Sequence, residues 1–224
     1  IVVWASVRCT LVPTAYKLFC IPANRLEDLI ECSYWIQRVR LGDEVFLVNN
    51  AQLAAMIGRD AAKIAALRAE LPSWVLFVGL GGRALLPEER VQVQENDLRE
   101  IVQRFGLTAQ SSLSGVTDEE LVEVLRNPSP EPHWKLSYKN DCADVFYLTT
   151  LGKVPHQIST VFSTAEDLGY PSAEIGVYVQ PQHQGVSHHC EFWLPFDPKD
   201  RKEMGVAKEL FSRASEALIG QGAY

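Results

Sequence analysis

No apolar run in these 224 residues approaches the roughly 20 needed to span a bilayer as a helix, and the N-terminus has no basic start followed by a signal-like apolar stretch. There is no basic excess either. The chain carries 21 Lys and Arg against 28 Asp and Glu, a net charge of −7, with the basic residues scattered among carboxylates. Nucleic-acid binding needs Lys and Arg clustered against phosphates, so that function class is excluded. The five cysteines (Cys9, Cys20, Cys32, Cys142, Cys190) contain no CxxC pair and are odd in number, which argues against a disulfide framework or a zinc knuckle. No pyrophosphate-cradling loop is present: Gly79, Gly81 and Gly82 form a G-x-G-G cluster, but the G-x-G-x-x-G spacing fails at Leu85 and the cluster reads as a turn. There is no initiator methionine. The chain opens directly into a strand-like pattern, IVVWASVRCTLVP, and stops at GQGAY where another strand could begin, so a piece of a longer protein is expected. What is present, 47% hydrophobic residues over this length, is ample for a packed core in one large or two small domains, and a soluble, cytoplasmic protein is expected.

Along the chain, Lys17 to Ile21 reads as a short strand, and Asn24 with Glu27 as a capping box opening a helix to about Val39. Glu44 to Asn49 is the next strand. Ala51 to Glu70 is Ala-rich and helical, broken near Gly58, and Trp74 to Leu80 is a continuously apolar strand. Pro87 suits a helix start, with Leu98, Ile101, Val102 and Phe105 at helical spacing before Gly106. Thr117 and Glu120 make a second capping box. The segment NPSPEP (127–132) is incompatible with a helix and reads as a surface excursion that could divide two halves. Asp144 to Thr150 is then a strand, and Val154, Ile158, Val161, Phe162, Ala165 and Leu168 mark the buried stripe of a helix. A last helix, opened by Asp197 and Pro198, carries Val206, Leu210, Ala214 and Leu218 on one face. The second half reads βαββα and the first is a looser version of it. The expected fold class is α+β: two ferredoxin-like halves sharing a large antiparallel sheet, with helices on one face.

The stretch Ile175 to Phe196 (IGVYVQPQHQGVSHHCEFWLPF) reads as an antiparallel hairpin holding three of the five histidines. Val177, Val179, Cys190, Phe192 and Leu194 should face the core, and Tyr178, Gln180, His189, Glu191 and Trp193 the other side. Tyr147 and Thr149 join that second set. Two readings stand for such a face: aromatics and polar groups orienting a small ligand, or alternation that serves solubility and cross-strand pairing.

The runs FYLTTLGKVPHQISTVF and EDLGYPSAEIGVYVQPQHQGVSHHCEFWLPFDP, then a helix ending GQGAY, resemble the cap, or substrate-binding, domain of FAD-linked oxidases of the vanillyl-alcohol oxidase/4-cresol dehydrogenase type. IVVWASVRCTLVPTAYKLF is similar to the last strand of those enzymes' FAD-binding domain crossing into the cap, and RLGDEVFLVNNAQLAAMIG to an early part of the cap. The resemblance implies a trailing strand of a missing FAD-binding domain at residues 1–16 and a cap domain over 17–224, divided near 127–135. It implies a flavoenzyme whose FAD is bound mainly by that absent domain, the sheet roofing the isoalloxazine over a small alcohol, a phenolic alcohol or a 2-hydroxy acid that gives hydride to the flavin. The isolated chain is expected to be inactive.

Within that frame His189 is the candidate group to accept a proton from a substrate hydroxyl, oriented by Glu191 two residues on. Tyr178 and Gln180 would hydrogen-bond a substrate oxygen, Trp193 or Tyr147 would stack on a ring, and Thr149 completes the substrate-binding set. Arg83, at a strand end, could pair with a substrate carboxylate or lie exposed. A metal held by His183, His189 and Glu191 is not favoured, because QPQHQGVSHHCEF does not match the family's Gly-His-rich metal motif. The rival class is a stand-alone ferredoxin-like module that binds a small ligand and forms a homodimer through its sheet.

Overall fold

A computed structural model describes residues 11–182 and 185–224. The first half runs β1 (Ala15–Ala23), α1 (Glu27–Arg38), β2 (Glu44–Asn49), α2 (Asn50–Ile57), α3 (Ala61–Glu70), β3 (Trp74–Gly82) and α4 (Pro87–Arg104). After α5 (Asp118–Arg126) and a 3-10 turn at Trp134–Leu136, the second half runs β4 (Asp141–Thr149), α6 (Val154–Asp167), β5 (Gly176–Gln182), β6 (Ser187–Phe196) and α7 (Arg201–Gly220). The trailing strand expected over 1–16 falls mostly on residues 1–10, outside the described residues, while Ala15 and Tyr16 belong to β1. Cys9 and His183 are outside as well.

Among the described residues six strands form one antiparallel sheet in the order β1-β3-β2-β5-β6-β4. In each half the first strand pairs with the third and the third with the second, so the order reads alike from either edge. The halves meet where β2 lies against β5, Leu47 opposite Val179 and Val48 opposite Tyr178. Both edges receive a returning segment: Gln110 exchanges two backbone hydrogen bonds with Cys20 on β1, and Tyr224 does so with Leu148 on β4. The α+β class with one shared antiparallel sheet is what the strand and helix order implied.

The four long helices α1, α4, α6 and α7 lie on one face, where Leu29, Ile36, Leu98, Val161 and Leu210 pack on Ile21, Leu76, Val177, Phe192 and Leu194. Each of these fully buried side chains contributes about 1.5–3 kcal/mol by leaving water. A second layer lies on the other face: Leu53 and Ala54 of α2, Ile64 and Leu67 of α3 and Leu121 of α5 cover Leu18, Phe46, Val48, Val75 and Phe77. That layer corrects the one-face expectation for the β1-β3-β2 half. Its cause is in the strands, since WVLFVGL is apolar at both sets of alternating positions and both sets need cover. Tyr178, Glu191 and His189, on the second half, are only partly covered.

Local chemistry fixes the helix starts. The Thr117 box forms, its hydroxyl accepting from Glu120 N at 3.3 Å and Glu120 Oε2 accepting from Thr117 N at 3.0 Å. The Asn24 box does not form: Leu26, buried, occupies the cap position without a side-chain bond, and Glu27 opens the first turn, where its charge suits the helix dipole. Asn49 ends β2 and caps α2, accepting from Gln52 N at 3.0 Å. No helix among the described residues is long and apolar enough to cross a membrane.

Candidate functional site

On the partly open half of the sheet the strand register sets side chains in rows. Tyr178 on β5 stands opposite Glu191 on β6, which stands opposite Phe146 on β4, and Gln180, His189 and Leu148 form the next row. Facing them come α5 and the Pro-rich excursion, which ends in the Trp134–Leu136 turn. Between the two lies a cavity of about 340 Å³. Phe46, Met56, Trp134 and Tyr178 wall it. Phe46 continues a ring ladder, with centroids 4.9 Å from Phe77 and 5.5 Å from Tyr178. The polar groups reaching the cavity include Glu44, Gln52, Lys135, Gln180 and Glu191.

Lys135 organises the charges. Its Nζ lies 2.7 Å from Asp144 Oδ2 and 2.6 Å from Glu191 Oε1, and Glu191 Oε2 lies 3.4 Å from His189 Nε2. Burial works against the Lys135 ammonium, but the hydrogen bonds it donates to the two carboxylates, with their charges, outweigh it and its pKa is raised. Glu191 follows the same logic with the opposite sign: burial raises its pKa, contacts with His189 and Lys135 lower it further, and the net shift is down. Asp144 goes up, because desolvation prevails over its one bond to Lys135 and its Oδ1 is buried without a partner. Tyr178 is held protonated, raised first by burial and then by the charges of Glu191 and Glu44.

No protein-family model matches the chain, and no curated protein matches it in sequence. Solved structures do. A p-cresol methylhydroxylase with substrate bound superposes over 94% of this chain and 44% of its own, at a TM-score of 0.68 and 12% identity. The 4-ethylphenol oxidase from Gulosibacter chungangensis, in an isoeugenol complex, does so over 94% and 45%, at 0.71 and 14%. An alkyldihydroxyacetonephosphate synthase matches over 95% and 41%, at 0.55 and 11%. The fold is shared with those proteins. This chain spans less than half the length of each, and the oxidase-type fold implied by the sequence resemblance is the one observed.

Of the residues singled out from sequence, Tyr178, Gln180 and Glu191 line the cavity and His189 stands at its margin, 6.3 Å ring to ring from Tyr178. Three others are placed elsewhere. Tyr147 lies opposite Cys190 and Thr149 opposite His188, so both point into the helix-covered core, Tyr147 stacking on Phe192. Trp193 is on the expected side but 1% exposed, sealed by Trp134, Tyr138 and Ala55, and offers no ring to a ligand. Arg83 is tied to Asp43 at 2.8 Å and to the carbonyl of Leu11, away from the cavity. Cys190 is fully buried, its thiol pushed up to about 12 by burial, and acts as a small apolar filler. Sequence reasoning missed Glu44, Phe46, Gln52, Met56, Trp134 and Lys135 on the cavity and Asp144 beside it. Asp144 was within reach, since it shares strand parity with the outward Phe146.

The glycines of β3 do not fit a dinucleotide phosphate. A Cβ on Gly79 would strike the Tyr16 hydroxyl, one on Gly81 the Asp43 carboxylate and one on Gly82 the Pro87 carbonyl. They are small so that neighbours can approach, and a carboxylate beside Gly81 repels a phosphate. Among the described residues no group of three His, Cys, Asp or Glu is placed to hold a metal ion.

Proposed function

We propose that this chain is the substrate-binding cap of a FAD-dependent oxidoreductase that oxidises a small alcohol, phenolic alcohol or 2-hydroxy acid, with the flavin held by a domain outside these 224 residues. The observation that carries the reading is the aromatic-walled, carboxylate-bearing cavity on the open half of a sheet whose fold is shared with phenol-oxidising proteins more than twice its length. When bound, the flavin supplies the hydride acceptor. The chain's own residues do the rest. Phe46 and Tyr178 hold a ring by apolar contact, and Gln180 and the Tyr178 hydroxyl direct a substrate oxygen. With Nε2 turned to Glu191, His189 has Nδ1 left to take the hydroxyl proton, and Glu191, kept ionised by Lys135, stabilises the resulting imidazolium. Val124 and Leu125 of α5 add apolar cover on the side opposite the sheet.

The test is to express the polypeptide encoded by this sequence together with its flanking reading frame. A flavin absorption band that an aromatic alcohol or a hydroxy acid bleaches without oxygen is expected, and a colourless protein that takes up no FAD ends the reading. The 224 residues alone should retain no FAD on gel filtration.

A further inference from the structure

Two carboxylates, Asp144 and Glu191, hold the Lys135 ammonium, and a third, Glu44, lines the same cavity. Lys135 is, among the described residues, the single Lys or Arg that lines it, and it already serves Asp144 and Glu191. Glu44 accepts a hydrogen bond from the Tyr16 hydroxyl at 2.8 Å and has no ion-pair partner among the described residues. Gln52 also lines the cavity; it is 3% exposed, and its Oε1 has no hydrogen-bond partner. Phe46, Tyr178 and Trp134 supply aromatic wall, and aromatic rings attract cations, as the Lys135 ammonium 5.7 Å from the Trp134 ring centre already shows. Acceptors are thus in surplus on this wall, and among the described residues the one Lys or Arg lining the cavity is already held by two carboxylates, while Arg126 lines only the neighbouring hollow it shares with Glu44.

We propose that the cavity selects a ligand bearing a flat apolar ring and a positively charged nitrogen, an arylalkylammonium, over the neutral alcohol of the same shape, and rejects the corresponding 2-hydroxy acid. This rests on reading the cavity as the substrate site; it removes the 2-hydroxy acid from the substrates proposed above and sets an amine ahead of the alcohols. The ammonium sits toward Glu44, and the ring lies against Phe46 and Tyr178, which touch each other. A carboxylate brought to the same place would face Glu44 and Glu191 with its own charge, and detaching Lys135 from Asp144 and Glu191 to meet it would strand two partly buried carboxylates.

Benzylamine, benzyl alcohol and mandelate share one ring and differ in charge, so isothermal titration of each into the 224-residue chain at pH 7 separates the cases. The chain has two methionines, Met56 on the cavity and Met204 on α7, so methyl NMR shows whether binding is at this site: the Met56 signal moves and that of Met204 does not. The expected order is benzylamine tightest by about tenfold, or 1.4 kcal/mol, then benzyl alcohol, with mandelate weakest. The benzylamine advantage should shrink to within about threefold in Glu44→Gln, and also in the unmodified chain as salt rises and shortens the Debye length. Benzyl alcohol binding as tightly as benzylamine, mandelate binding tightest, or an advantage indifferent to both Glu44→Gln and salt would each overturn the charge selection while leaving the cavity as substrate site. If none of the three moves Met56, both the selection and the cavity assignment fall.

Discussion

Burial keeps the imidazole of His188 neutral. Its Nε2 lies 3.0 Å from Gln37 Oε1 on α1, its Nδ1 is buried without a partner, and desolvation pushes its pKa from 6.5 down to about 4. Because the folded value lies below the unfolded one, the unfolded chain takes up the proton first as pH falls. Stability that is complete above pH 6.5 is therefore lost progressively down to about pH 4, by on the order of 3 kcal/mol. In His188→Gln, urea midpoints measured at pH 7 and pH 4.5 should differ by less than in the unmodified chain, since the carboxylates common to both cancel in the comparison. An unchanged difference would show that this ring takes its proton in the folded state as readily as in the unfolded one.

Among the elements, α5 depends most on its cap, being nine residues long with Leu121 alone fully buried. Thr117→Ala removes the reciprocal box and should cost about 1 kcal/mol. Hydrogen exchange should show the amides of α5 opening faster while those of β3 keep their protection; equal acceleration in both would mean the cap acts on the whole fold. The elements differ in how far the sequence disclosed them. Strand alternation placed β5 and β6 with the correct residues on each side, because Val177, Val179, Cys190, Phe192 and Leu194 are apolar and most of their neighbours are not. On β4 the run DVFYLTT is apolar at both parities, so the hydroxyls of Tyr147 and Thr149 suggested the wrong side, and only pairing with Cys190 and His188 decides it. The excursion through Trp134 and Lys135 has no periodicity at all. Its role comes from an ion pair with Glu191, 56 residues further on, that no local pattern encodes.

At the scale of the molecule the two halves are joined through one seam, and Asn49 fastens it. Besides capping α2, its side chain accepts from Val177 N at 2.9 Å and donates to Ile175 O at 2.7 Å, bonding β2 to β5. Asn49→Ala would leave these buried backbone groups unpaired, at roughly 2–3 kcal/mol. Far-UV dichroism and tryptophan fluorescence should still report one coincident, lowered transition, because the core on the long-helix face runs across the seam. Two separated transitions would show the halves to be independent folding units.

The likeness between the halves ends at one connection. Twenty-four residues, 50–73, join the second and third strands of the first half and carry two helices, whereas four, 183–186, join their counterparts in the second. A repeated unit laid out twice has thus been upholstered on one side and left bare on the other. The room in which a ligand could lodge owes its existence to the brevity of a hairpin, and a longer insertion there would close it without touching a single residue of its walls.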